Sequence, residues 1–395
     1  MKVGIISHYY QSRNYGGMLQ AYALTRYLRR NGHDAEQICY LLSSHPFAPS
    51  PKAFVPGPHY SFPVRFFLRC KKALRKRLVE NPRRRFYENY KNSELKRRAD
   101  AFAAFQETVP HSRQIFHCDE ISELVGHYPC LITGSDQVWN FQWFNPAFFL
   151  DIPGCHAKRI AYAASAGRSC FNEAEEAYLR SVLPAFHAIS VRETDLADTL
   201  NTILDTDSVI ATVDPTLLLS SEEWKAIAGP RLIRKKYLFC YFLHNDKDLT
   251  KLARQFARIH HLRIATIPYS GLEYNETDMR FGNDRFDAIG PDAFLSLILH
   301  ADYVLTDSFH ASIFSLLFGK QFVALPRGGE TGMGSRLKTL TEMFGCPERF
   351  CSAGVKDRLA YILSLKELDN RADYPKVREQ IQISMEFLAH ALGKD

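Results

Sequence analysis

The feature that most constrains this chain is a regular alternation of short apolar runs with helical stretches, each run ending in a small or polar turn. KVGIISHY opens the chain as a buried strand. In SRNYGGMLQAYALTRYLRRNGHDAEQICY, Leu19, Ala23, Tyr27 and Leu28 recur at helical spacing and Gly32 closes the helix, before QICYL gives a second strand. This is a β-α-β unit with a glycine-bearing turn, Asn14-Tyr15-Gly16-Gly17, ahead of its helix. Such units build parallel sheets covered by helices. PCLITGSDQVWN, RIAYAASAG, AISVRE and SVIATVDPTLLL each place a further strand before a polar turn. A second set begins at KYLFCYFLH, with strands RIATIPY, DYVLTD and QFVALP and helices over 249–261, 291–301 and 308–320.

The expected fold is therefore α/β, with two facing doubly wound domains and a cleft at the strand C-termini, where open parallel sheets bind ligands. The expected boundaries are 1–220 for the N-terminal domain, 221–373 for the C-terminal domain, and 374–395 for a final helix crossing back to the first. Five prolines in 45–62 mark a loop, and 62–106 reads as a basic helical insertion. Fifty aromatics in 395 residues exclude a disordered chain. No apolar run approaches a membrane span, and polar residues follow the start too soon for a signal-peptide core. The nine cysteines are odd in number, scattered and without a CxxC pair, which suits a cytoplasmic protein and offers no metal cluster. The net charge is +7, but residues 62–98 carry 14 Lys/Arg against 3 Asp/Glu, so the remainder is mildly acidic. That pattern describes a local binding surface or a solvated arm, not a generally basic protein.

Several strand ends carry candidate site residues. Asn14, Gly16, Gly17 and Gln20 open the first helix, whose free N–H groups could hold an anion; equally, the glycines could serve only a tight turn. Asp136 in GSDQVW is a helix cap or a cleft carboxylate. Ser165 in ASAG is part of a tight turn or a phosphate cradle. In TDSFHASIFSLLFGK, Asp307 and Ser308 are N-cap types and His310 falls in the first helical turn at a strand end.

Taken in order, NYGGMLQAYAL, TGSDQVWN, SVRETD, VDPTLLLSSEEW, TDSFHASIFSLLFGKQFVAL and MGSRLKTLTEMFG closely resemble the polysaccharide pyruvyl transferase family, from residue 3 to about 350. The resemblance implies a glycosyltransferase-B-like, two-domain enzyme. It also implies transfer of pyruvate from phosphoenolpyruvate onto two hydroxyls of a sugar in a bacterial surface polysaccharide or its lipid-linked precursor, giving a cyclic ketal. His310 matches the family histidine, although Ser308-Phe309 stands where some members have Arg-Leu, so one cation must come from elsewhere. Arg192 and Arg336 match family arginines, and Arg327 is a weaker extra candidate.

The chemistry asks for such residues. Phosphoenolpyruvate carries a phosphate and a carboxylate, which guanidinium forks bind bidentately. Ketal formation needs a proton delivered to the methylene carbon and protons removed from two hydroxyls, which is general acid–base work. The expected assignment is His310 as acid or phosphate ligand, and Asp136 and Glu193 as carboxylates acting on the hydroxyls. Arg192 and Arg336 hold phosphoenolpyruvate, and Ser308, Ser165, Asn14, Gly16, Gly17 and Gln20 line the site. No cofactor or metal is required. The run 62–98, mixing Phe62, Phe66, Phe67, Leu68, Leu74 and Leu78 with cations, could lie on an anionic membrane surface near a polyprenyl-linked acceptor, or could be a solvated arm or an oligomer contact. It fits no nucleic-acid module. Two rival functions remain open: a nucleotide-sugar glycosyltransferase on the same fold, with Glu330 as a ribose ligand, and a non-catalytic polysaccharide-binding protein.

Overall fold

The computed structural model of the chain describes residues 1–41, 81–244, 246–268, 280–326, 333–369 and 374–393. The proline-rich loop and most of the basic run, 42–80, lie outside the described residues, as do Arg327 and Glu330.

Two wholly parallel sheets form the frame. The first contains β1 (Lys2–Ile6), β2 (Asp34–Tyr40), β3 (His111–Phe116), β4 (Cys130–Thr133), β5 (Lys158–Ala164), β6 (Ala188–Val191) and β7 (Ile210–Ala211), in the order β3-β2-β1-β4-β5-β6-β7. The second contains β8 (Tyr237–Tyr241), β9 (Arg263–Thr266), β10 (Asp284–Arg285), β11 (Tyr303–Thr306) and β12 (Gln321–Ala324), in the order β10-β9-β8-β11-β12. Central strands such as β4 and β8 are buried throughout, as expected of parallel strands covered on both faces. The helices are α1 (Tyr15–Arg30), α2 (Asn81–Gln106), α3 (Glu173–Val182), α4 (Thr194–Leu204), α5 (Ser221–Ile227), α6 (Lys247–Ile259), α7 (Pro291–Leu299), α8 (Phe309–Leu317), α9 (Met333–Met343), α10 (Arg358–Ser364) and α11 (Pro375–Ala391).

Three stretches differ from the sequence reading. SVIATV forms only the two-residue β7, because the Val213 amide is drawn to Ser384 Oγ of α11 at 2.9 Å and Asp214-Pro215 then turns into a 3-10 helix. HSRQIF is an unanticipated edge strand whose polar, half-exposed pattern hides the strand signal. The third, the two-residue β10, is too short to show periodicity. Helix α11 packs on the first sheet: besides Ser384, its Ala391 carbonyl accepts from Lys158 Nζ at 3.1 Å.

The two halves share one apolar core. Tyr15, in the first turn of α1, stacks on Phe294 of α7 with ring centroids 4.7 Å apart, and Trp224 of α5 stands between Tyr22 of α1 at 5.8 Å and Phe314 of α8 at 5.0 Å. Helix α2 ties the halves further. Phe102 and Phe105 are buried in this core. Arg98, counted among the cations of the basic run, is itself buried: it donates to Tyr15 Oη at 3.0 Å, reaches the Pro268 carbonyl at 3.4 Å and lies over the Tyr15 ring. Tyr15 Oη in turn donates to the Ile289 carbonyl. Arg98 is thus a contact between the halves. Replacing Arg98 by alanine removes a charge-assisted hydrogen bond and a cation–π contact together. It should lower unfolding stability by about 2 kcal/mol, read as a lower urea midpoint, with Arg98→Lys recovering part of the loss.

Candidate active site

In an open parallel sheet, the crevice for ligands lies where neighbouring strands send their chains to opposite sides. The first sheet reverses between β1 and β4, and the second between β8 and β11. Both reversal points meet in one place. The loop after β1 brings His8 and Asn14; the loop after β4 brings Ser135, Asp136 and Gln137; the loop after β11 brings Asp307, Ser308 and His310.

At the centre stands Asp214, 2% exposed. Its Oδ2 accepts from Arg192 Nη1 at 3.1 Å and lies 3.4 Å from His310 Nε2, while its Oδ1 accepts from Thr216 N and Oγ1. Burial alone would raise the Asp214 carboxyl, but His310, Arg192 and the Thr216 amide hold it well below the usual range. The guanidinium of Arg192 faces three carboxylates: Nη1 meets Asp214, Nη2 lies 3.5 Å from Asp136 Oδ1, and Nε lies 3.5 Å from Glu193 Oε1. Burial would lower its pKa, but Glu193, Asp136 and Asp214 raise it, so it stays charged. Its Cζ sits 4.7 Å over the Phe309 ring. The Phe309 ring thus receives a cation from the other half of the molecule.

His310 is 7% exposed and lies in the first turn of α8, whose N-cap is Ser308. Its ring fills the space a side chain at Gly16 would occupy: a Cβ there would fall 2.0 Å from Nδ1. Glycine at 16 thus lets the N-termini of α1 and α8 meet. A second obligatory glycine, Gly134, has φ +116° and would place a Cβ 2.2 Å from the Tyr162 carbonyl. It shapes the turn that presents Asp136. Arg336, in the first turn of α9, lies 3.9 Å from Glu193 Oε1, and the Gln137 amide comes within 3.2 Å of both its terminal nitrogens. Glu193 stands at the head of α4 and accepts from Ser165 Oγ at 2.7 Å. Four helix N-termini therefore converge, each adding partial positive charge. The buried Oε2 of Glu193 has no hydrogen-bond partner among the described residues, as expected of a site shaped for a polar ligand.

His310, Asp136, Glu193, Arg192, Arg336, Ser165 and Ser308 thus share one place. Three other residues anticipated as lining are engaged in architecture. Asn14 caps α1 by accepting from Gly17 N. Gly17 packs under the His8 carbonyl. Gln20 is fully enclosed, donating to the Gly17 carbonyl and accepting from Ser135 N, so it positions the 134–136 turn. Asp136 is a cleft carboxylate, with φ +69° and its side chain on Arg192, not a helix cap. Burial would raise it, but Arg192, His310, His8 and Arg336 hold it below the ordinary range.

Residues the sequence reading passed over are Asp214, His8, Gln137 and His244. His244 Nδ1 lies 2.6 Å from Asp307 Oδ2 at the second reversal point. Asp214 was signalled only as an Asp-Pro turn. Among the described residues, no group of His, Cys, Asp and Glu is placed to hold a metal ion, and no helix is long and apolar enough to cross a membrane.

The family model for polysaccharide pyruvyl transferase matches residues 14–329, a span that contains Asp136, Arg192, Glu193, Asp214 and His310. The chain belongs to the polysaccharide pyruvyl transferase family. No curated protein matches significantly over its sequence. Solved structures of similar fold include UDP-GlcNAc 2-epimerase from Methanocaldococcus jannaschii, with 12% identity, a TM-score of 0.55 and coverage of 99% of this chain and 100% of that one. The corresponding enzyme from Rickettsia bellii has 11% identity, a TM-score of 0.54 and coverage of 99% and 96%. A putative one from Listeria monocytogenes has 9% identity, a TM-score of 0.52 and coverage of 100% and 97%. At such identities the likeness is one of fold, the glycosyltransferase-B type of two Rossmann-like sheets.

Two outcomes follow from this geometry. Gly16→Ala forces His310 or α1 to shift, and should reduce turnover at least tenfold while costing about 1–3 kcal/mol of stability; thermal unfolding and a turnover assay check both. Asp214 and Asp136 have folded-state values below their unfolded ones, so their contribution is complete above the ordinary carboxylate value of about 4 and disappears as pH falls through the folded values. Urea unfolding between pH 5 and 3 should show a steeper loss in the wild type than in Asp214→Asn. Parallel curves would place the acid sensitivity elsewhere.

Proposed function

We propose that the enzyme transfers the pyruvyl group of phosphoenolpyruvate to two hydroxyls of one sugar, forming a cyclic ketal and releasing phosphate. The observation that carries this reading is the pairing of His310 with the buried carboxylate of Asp214, beside two buried arginines from different elements, Arg192 and Arg336. The arginines and the converging helix N-termini supply the positive field that a donor bearing phosphate and carboxylate requires. Asp214 lies against the imidazole and orients it, and His310 is assigned as the acid that delivers a proton to the donor's methylene carbon.

All three guanidinium nitrogens of Arg192 face carboxylates, so Arg192 keeps those carboxylates in place and adds its charge to the site. Arg336, in the first turn of α9 beside Glu193, is assigned with it to the donor's anionic groups. A lipid-linked acceptor at an anionic membrane surface suits the basic composition of 62–98.

Thermal unfolding with and without ligand tests the donor. Phosphoenolpyruvate at 100-fold its dissociation constant should add about 2.7 kcal/mol of stability, and Arg336→Ala should abolish the shift while its own unfolding stays cooperative. A shift with UDP alone would support the nucleotide-sugar reading instead.

A further inference from the structure

The proposed chemistry moves more protons than one histidine carries. Two hydroxyl protons leave the sugar, one proton arrives on the donor's methylene carbon, and one departs on phosphate. The carboxylates expected to accept hydroxyl protons are poorly placed to do so. Asp136 and Glu193 are both tied to Arg192, and Asp136 is held ionised below its ordinary range, which makes it a weak base.

His8 has the missing properties. It lies in the loop after β1, at the reversal point of the first sheet. Its Nε2 meets the Gln137 carbonyl at 3.2 Å. A carbonyl only accepts, so Nε2 carries the hydrogen, and the neutral ring must present its lone pair at Nδ1. Among the described residues, the ring's hydrogen bond is the one made at Nε2. The ring packs against Phe148, with centroids 4.4 Å apart, which fixes its plane. The ring is half-buried, and burial lowers its pKa against the smaller opposing pull of Asp136, so it favours the neutral, proton-accepting form. Asp136 feels both His8 and His310, which places the two imidazoles around one carboxylate.

We propose that His8 is a second catalytic residue of this site, the general base that takes the proton of the attacking sugar hydroxyl at its Nδ1. The inference rests on the pyruvyl-transfer reading and deepens it. His310 gives its proton to the methylene carbon, leaving a cationic centre at C2. The first hydroxyl oxygen bonds to C2 as its proton passes to His8. The bond from C2 to the phosphate oxygen then breaks, and phosphate leaves with the proton His8 took. The second hydroxyl closes the ring and its proton restores His310. Donor and diol thereby become ketal and hydrogen phosphate, with both histidines returned to their starting states.

The test measures phosphate release from phosphoenolpyruvate with a panel of p-nitrophenyl glycosides, comparing wild type with His8→Gln, which retains a donor for the Gln137 carbonyl. The expected result is a fall in kcat of about 100-fold or more, with phosphoenolpyruvate-induced thermal stabilisation unchanged. In His8→Ala, added imidazole should restore turnover, a rescue that loss of a merely structural side chain would not show. His8→Gln turning over within threefold of wild type, or His8→Ala inert to imidazole, would overturn the assignment of His8 while leaving the transferase intact. A wild type that releases no phosphate with any glycoside, yet is stabilised by UDP, would overturn the transferase reading and this inference with it.

Discussion

The buried pairing of Arg192 with Asp214 is the contact on which the rest of the site depends. Either charge alone would be costly inside the fold, because removing one partner of a buried pair typically destabilises by about 3–5 kcal/mol. Together they create a fixed point between the sheets. Asp214 reaches across to His310, and Arg192 gathers Asp136 and Glu193 and lies over Phe309. Glu193 in turn links Ser165 and Arg336. Six separate segments are thereby held by one ion pair and its neighbours, and the facing surfaces of the two halves become one site.

The apolar architecture makes that ion pair possible. Tyr15 on Phe294 and Tyr22 on Trp224 seal the two halves into a shared core, with Arg98 as a buried strut. Gly16 then allows two helix N-termini to approach within the thickness of one imidazole ring. Packing and chemistry are coupled here: the same helix α1 that presents Tyr15 to the other half also receives His310 one residue later.

Much of the frame was legible from local pattern. Buried parallel strands such as β4, β8 and β11 are continuous apolar runs, and their helices start at good caps such as Asn14 and Ser308. The strand ends directed attention to Asp136, Arg192, Glu193 and His310, which the fold brings together. What local pattern could not show was partnership across the chain. Asp214 reads as an Asp-Pro turn because its importance lies in distant groups. Gln20 reads as a lining residue because nothing nearby reveals that the 134–136 turn will take up its amide. HSRQIF lacks a strand signal because an edge strand need bury only part of its length. The role assigned to His8 depends on which ring nitrogen the Gln137 carbonyl captures, a fact of tertiary geometry alone.

The central claim is that this site joins carbon 2 of phosphoenolpyruvate to two sugar hydroxyls, with His310 supplying the proton. The most direct measurement follows phosphoenolpyruvate labelled with carbon-13 at C2 by NMR, in the presence of a glycoside acceptor. The account predicts that the label moves from the enol resonance to a ketal resonance as one phosphate is released per ketal, and that His310→Gln stops both events. Appearance of free pyruvate without ketal, or an unchanged donor while a nucleotide sugar is consumed, would contradict it.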